Sequence, residues 1–219
     1  MQNLVIFGTG QISEVAHFYF TQDSNYRVVA FTVDGDYMQD NQHCGLPVVP
    51  FEEVADVYPP GSHSMFAAIS YAGLNRVRAE KVQAAAEKGY TLASYVSSKA
   101  TVWGAFAPQR NCFILEDNTI QPFARIGENV TLWSGNHIGH HSVIGDHCFI
   151  TSHVVVSGNV SIGERCFIGV NSTLRDGITL GEGCLVGAGC LVMRDAPADT
   201  LFKGESSRPA KVAASQIRL

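Results

Sequence analysis

Four of the eight histidines fall within fifteen residues, in the stretch GNHIGHHSVIGDHCF at 135–149, and a fifth, His153, follows closely. Imidazole titrates near neutral pH and also ligates metals, so the cluster suits either proton transfer or a metal centre. Six cysteines offer further ligands, yet no CxxC pair occurs. A second chemistry-bearing stretch stands near the N-terminus, where Gly8, Gly10 and Ser13 in FGTGQIS spell GxGxxS, an incomplete dinucleotide fingerprint. A glycine turn that opens a helix favours an anion such as a diphosphate. Asp34, at the end of the next apolar run, is placed to accept hydrogen bonds from a ribose or base. A tight strand-to-helix turn without any ligand accounts for the same glycines.

The framework under the histidines is a repeat. An aliphatic residue recurs at every sixth position from Ile120 to Val192, thirteen times without a miss. No helix generates a period of six. A longer period of 18 shows in IGENV, IGDHC, IGERC and LGEGC, beginning at Ile126, Ile144, Ile162 and Leu180. Three six-residue units per turn predict a triangular prism of short stacked strands, with the aliphatic side chains inward and the following glycines easing the turns. Two residues before the aliphatic position stands a small or β-branched residue in most cases, and Cys112, Cys148, Cys166, Cys184 and Cys190 all occupy that place. They read as small buried hydrophobes, not as ligands or bridges.

Ahead of the repeat, LVIF predicts a buried strand leading through a glycine turn into a helix. VVAFTVDGD and MFAAIS predict two more strands, and LNRVRAEKVQAAAEKGY an amphipathic helix stopped by Gly89. Strands alternating with helices predict a small Rossmann-like parallel sheet. The expected organisation is therefore an α/β Rossmann-like domain at 1–95, a β-helix at 96–200 and a closing segment at 201–219.

A net charge of -5 with scattered Lys and Arg leaves no basic face for nucleic acid. The start of the chain lacks the basic and apolar regions of a signal peptide, and no run of about 18 apolar residues occurs. A soluble, cytoplasmic protein with no membrane or nucleic-acid partner is expected.

From VIFGTG to FKGESSRPAK, the pairing of a Rossmann-like domain with hexapeptide repeats resembles the sugar acetyltransferases of the sialic acid O-acetyltransferase and bacillosamine N-acetyltransferase family. The resemblance implies a left-handed β-helix, opposite to the usual hand of parallel crossovers. It also implies acetyl-CoA as co-substrate with no metal required, a nucleotide-linked sugar held at Gly8, Gly10 and Asp34, and a homotrimer whose subunits share the CoA groove. The family's catalytic base precedes an IG unit, which in HHSVIGD is His140. Eighteen residues on stands Gly158, whose backbone N–H is the candidate oxyanion donor, as the matching glycine is in similar enzymes. His153 and Asn171 share a column and are candidates for the acceptor or pantetheine groove. Gly187, Ala188 and Gly189 would give the pantetheine arm a bare backbone, and Lys203 and Arg208 would pair with CoA phosphates. Where several relatives have an acidic residue after the base, this chain has His141, which leaves Glu116 or Asp146 as possible orienting partners.

The expected reaction is acylation of a sugar amino group, for surface polysaccharide synthesis. O-acetylation is the nearest alternative, since one base serves either nucleophile. Two further classes are a nucleotide-sugar-binding partner protein without catalysis and a zinc enzyme of the carbonic anhydrase kind on the same β-helix, whose metal would need three histidines.

Overall fold

The computed structural model describes residues 1–104, 106–207, 211 and 214–216. The N-terminal part alternates β1 (Gln2–Phe7), α1 (Gln11–Gln22), β2 (Tyr26–Val33), β3 (Gln42–His43), β4 (Leu46–Pro50), α2 (Val54–Val57), β5 (His63–Ala67), α3 (Arg76–Glu87) and β6 (Thr91–Leu92). These strands form one sheet in the order β3-β4-β2-β1-β5-β6, parallel except for the β3–β4 pair. The order reverses between β1 and β5, since β2 lies on one side of β1 and β5 on the other. Leu4, Val5 and Ile6 are fully buried because both faces of this central strand are covered.

From Tyr95 onward the chain winds as a left-handed parallel β-helix of two-residue strands, arranged on three sides. Side one stacks Ile120, Ile138, Val156, Leu174 and Val192 in register. Side two stacks Ile126, Ile144, Ile162 and Leu180. Side three stacks Ile114, Leu132, Ile150, Ile168, Val186 and Phe202. Burying each such side chain contributes roughly 2 kcal/mol, so the column of aliphatics is the main source of cohesion in a region with no helices.

The recurrent cysteine position has a polar logic as well. Cys148, Cys166 and Cys184 are free thiols with no exposure, and their Sγ atoms donate to the Gly163, Gly181 and Pro197 carbonyls of the following coil at 3.1, 3.2 and 3.3 Å. Ser142 and Ser172 do the same to Ser157 and Gly187 at 2.8 and 2.9 Å. Cys and Ser give a hydrogen to the next coil from this position, whereas Val130, Val154 and Val160 fill it by packing alone. Burial pushes the Cys112 thiol up to about 11 and Cys148 well above its ordinary value, so neither is a nucleophile.

One residue at each corner, three to a coil, takes a left-handed backbone, and its N–H commonly donates to the coil before. Asn129, Asn159 and Asn171 fill such positions, and so do His141, His147 and His153, with φ of 60°, 63° and 58°. Asn and His tolerate this conformation far better than β-branched residues. Much of the histidine cluster is therefore corner chemistry.

Side three carries the sheet domain. Tyr71, in the loop after β5, packs against Phe149 and Phe167 with ring centroids 5.2 and 4.7 Å away. Asn111 binds the end of β5 twice, accepting from Ala67 N–H at 2.8 Å and donating to Ala67 O at 3.3 Å. Arg78 of α3 is 1% exposed, and it reaches the carbonyls of Asn129, His147 and Cys148. Burial without a carboxylate partner lowers its guanidinium to about 10.

Candidate active site

The corner between sides one and two stacks Phe123, His141, Asn159 and Gly177 in one column, with Pro122, His140, Gly158 and Asp176 beside them. His140 and Gly158 thus meet because 18 residues make one full turn. The His140 main-chain N–H donates to Gln121 Oε1 at 2.9 Å, which ties His140 to the coil below. Its Nδ1 lies 3.2 Å from His141 Nδ1. Two ring nitrogens share one proton in that contact, so when His140 Nδ1–H donates, His140 Nε2 keeps a bare lone pair.

That edge of the imidazole overhangs Gly158. A Cβ on Gly158 would stand 2.7 Å from both Cε1 and Nε2 of His140, closer than real side chains come. The Gly158 carbonyl accepts from Gly177 N–H at 3.0 Å, whereas the Gly158 N–H donates to no atom among the described residues. A free N–H beside a bare imidazole nitrogen, at a position without a side chain, gives one proton acceptor and one donor to a reacting carbonyl. A groove of about 280 Å³ lined by Trp103, Phe106, Gln121, Pro122 and Phe123 adjoins the pair, with Phe123 packed 4.7 Å from the His141 ring.

Comparison with known proteins matches the repeat directly. A model described as bacterial transferase hexapeptide (six repeats) covers residues 123–158, and one described as hexapeptide repeat of succinyl-transferase covers 159–194. No curated protein sequence matches the chain. Among solved structures, PerB from Caulobacter crescentus, crystallised with CoA and GDP-perosamine, is 26% identical with a TM-score of 0.81, covering 92% of this chain and 93% of that one. The repeat region is thus that of the hexapeptide transferases, and the whole chain is similar to PerB. Two more distant structures share the fold. The acetyltransferase domain of PglB from Neisseria gonorrhoeae FA1090 is 22% identical with a TM-score of 0.81, over 96% and 100% of the two chains. WeeI from Acinetobacter baumannii AYE is 17% identical with a TM-score of 0.77, over 92% and 96%.

In this acetyltransferase the other candidate residues lie apart from His140. His153, Asn171, Ala188 and Gly189 occupy the corner between sides three and one, one side of the prism away, with Gly187 just before it. His153 sits over Gly135, where a Cβ would stand 2.5 Å from its Nδ1. Lys203 is exposed after the last strand of side three, and Arg208 falls outside the described residues. Gly8 has φ 119° and a Cβ there would meet Ala68 O at 2.8 Å, so the turn from β1 into α1, pressed against the end of β5, admits only glycine. Gly10 caps α1 without a side-chain hydrogen bond, leaving that helix N-terminus open at the sheet's switch point. Asp34 is held by Lys81 Nζ at 2.6 Å.

Neither carboxylate considered as a partner for His140 touches it. Glu116 accepts from Tyr19 Oη and Ser134 Oγ, both at 2.6 Å, which with burial pushes Tyr19 up to about 12. Asp146 accepts from the Glu128 main chain at 2.8 Å. The ring against His140 is His141 itself, and sequence reasoning missed it because a corner residue's left-handed backbone, which turns its ring onto the preceding one, is invisible in spacing alone. It missed Asp176 too, although counting 36 from His140 reaches it. Among the described residues no group of three His, Cys, Asp or Glu is close enough to hold a metal ion.

Proposed function

We propose that the chain transfers an acetyl group from acetyl-CoA to the amino group of a nucleotide-linked sugar, with His140 as general base and the Gly158 N–H as oxyanion donor. The observation that carries this reading is the placement of His140 Nε2 over Gly158, whose own N–H is unengaged. The amine attacks the thioester carbon, the carbonyl oxygen takes charge beside the Gly158 N–H, and His140 Nε2 removes the proton from the new ammonium. The C–S bond then breaks and the imidazolium returns the proton to the CoA thiolate. His141 acts as positioning residue by accepting the Nδ1 proton, which fixes the tautomer and steadies the imidazolium.

The open N-terminus of α1 beside Gly8 and Gly10 would hold the nucleotide's diphosphate, with Asp34 and Lys81 next to it. The aromatic groove of Trp103 and Phe123 suits the apolar face of a sugar ring. CoA would run along side one toward Asn171, Gly187, Ala188, Gly189 and Lys203, in a groove completed by a neighbouring subunit of a homotrimer, in the cytoplasm where CoA and nucleotide sugars meet. PerB, with its bound CoA and GDP-perosamine, supports the choice of both substrates.

The test is CoA-thiol release from acetyl-CoA against UDP-, GDP- and dTDP-linked 4-amino sugars, wild type beside His140→Ala. One acceptor should respond, with kcat about 10²–10⁴-fold lower in the variant. Equal rates in the two proteins would remove His140 from the chemistry.

A further inference from the structure

The Gly158 position is flanked on two sides. The point where its Cβ would stand is 2.7 Å from His140 Nε2 and also 2.9 Å from Asp176 Oδ1, the residue one coil further along the same corner. Asp176 is exposed, and among the described residues its carboxylate makes no hydrogen bond and no ion pair. Arg175 beside it forms no ion pair with it, and its Nη1 donates instead to Met193 O at 3.2 Å on the next coil. Gly177 N–H, bonded to Gly158 O at 3.0 Å, fixes the Asp176 backbone against the coil that carries Gly158. A carboxylate and an imidazole nitrogen, each without a partner among the described residues and each within 3 Å of that point, are thus close enough for one donor group resting over Gly158 to bridge them.

We infer that Asp176 selects an amine over a hydroxyl as the acyl acceptor, by binding the ammonium form of the acceptor beside His140. The inference rests on the transferase reading above and refines its acceptor. Two acceptor groups within reach of one ligand atom call for at least two hydrogens to donate and, next to a carboxylate without an ion pair, a positive charge. A primary ammonium has three N–H donors and that charge. A sugar hydroxyl has one donor, so it would leave either the carboxylate or the imidazole unpaired. Bound this way, the acceptor R–NH3⁺ first gives one proton to solvent. Its nitrogen then forms the C–N bond, a second proton passes to His140 Nε2 and on to the departing thiolate, and the products are the amide, the thiol and one released proton.

The experiment measures binding and turnover of each nucleotide-linked 4-amino sugar against its counterpart with a hydroxyl at that carbon, using wild type, Asp176→Asn and His140→Ala. In the wild type the amine member should bind at least tenfold more tightly. Asp176→Asn should erase that preference and raise the amine's KM tenfold or more, leaving the KM for acetyl-CoA and the binding of the hydroxyl member unchanged. Because Asp176 is exposed, the folded state should survive, which the melting temperature checks. No preference for the amine in any pair, or an equal loss for both members in Asp176→Asn, would overturn the assignment. Absence of transfer by the wild type to any acceptor would overturn the transferase reading instead, while the binding comparison still decides the role of Asp176.

Discussion

Arg78 grips Asn129 twice, its Nε donating to the side-chain Oδ1 at 3.0 Å and its Nη2 to the main-chain carbonyl at 3.2 Å. Asn129 Oδ1 also accepts from Asn111 Nδ2 at 2.8 Å, and Asn111 holds the end of β5, so one amide oxygen joins two of the links between the sheet domain and the β-helix. Replacing Arg78 with Met keeps the length and the contact with the Phe149 ring, 5.3 Å away, but leaves buried carbonyls without donors. The expected loss is about 3 kcal/mol in urea unfolding. A variant as stable as the parent would mean that the carbonyls find water at the junction.

Gly158→Ala separates activity from folding. Its φ lies outside the left-handed region, and the added methyl would meet only the ends of two mobile side chains, His140 and Asp176. The rings move and the coil stays, so CoA release should fall about 100-fold with little change in melting temperature. Gly139→Ala is the contrasting case. Its methyl would stand 2.5 Å from the Ser157 carbonyl carbon, which is backbone, so there the fold should weaken. The opposite pattern, an active Gly158→Ala, would show that the acyl group does not pass over that glycine.

Acid should weaken the β-helix in two stages. Burial holds the His147 imidazole below its ordinary 6.5, outweighing the attraction of Glu128 4.0 Å away, and Asn129 Nδ2 donates to its bare Nδ1 at 3.0 Å. The unfolded chain therefore takes up this proton first. The contribution is complete above about pH 6.5 and declines as pH falls from there to the lowered folded value. Glu128, held below its ordinary 4.5 chiefly by its hydrogen bonds from Arg110, keeps its contribution down to lower pH and loses it as pH falls through its own folded value. His147→Asn, which suits the left-handed corner, should abolish the upper stage in a series of melting temperatures between pH 7 and 5 and leave the lower one. An unchanged upper stage would assign it to another histidine.

The sixfold repeat made the β-helix legible, because an inward aliphatic at each unit is a demand that packing imposes on every coil alike. Counting by 18 also brought Gly158 onto His140, since a column is arithmetic. The GxGxxS turn read correctly as strand, glycine and helix, and Gly8 is required by the carbonyl of Ala68 pressed against it. What spacing did not carry was direction. His141 turns onto His140, and Glu116 is taken by Tyr19, through rotamers and a partner 97 residues away. The role of Arg78 was hidden for a related reason, for an arginine in an amphipathic helix looks like a solvent residue until another domain is laid over it.

The coils repeat at about 4.8 Å, the spacing of neighbouring strands. A residue moved along the sequence by 18 therefore moves through space by one fixed step and keeps its aspect toward the substrate. Most enzymes adjust a site by reshaping loops, with every displacement a continuous and uncertain quantity. Here the corner behaves as a graduated scale, on which imidazole, bare backbone and carboxylate occupy successive marks at His140, Gly158 and Asp176. Exchanging what stands at one mark alters the chemistry offered there without shifting the others, so the acceptor can change by single substitutions while the geometry of transfer is retained.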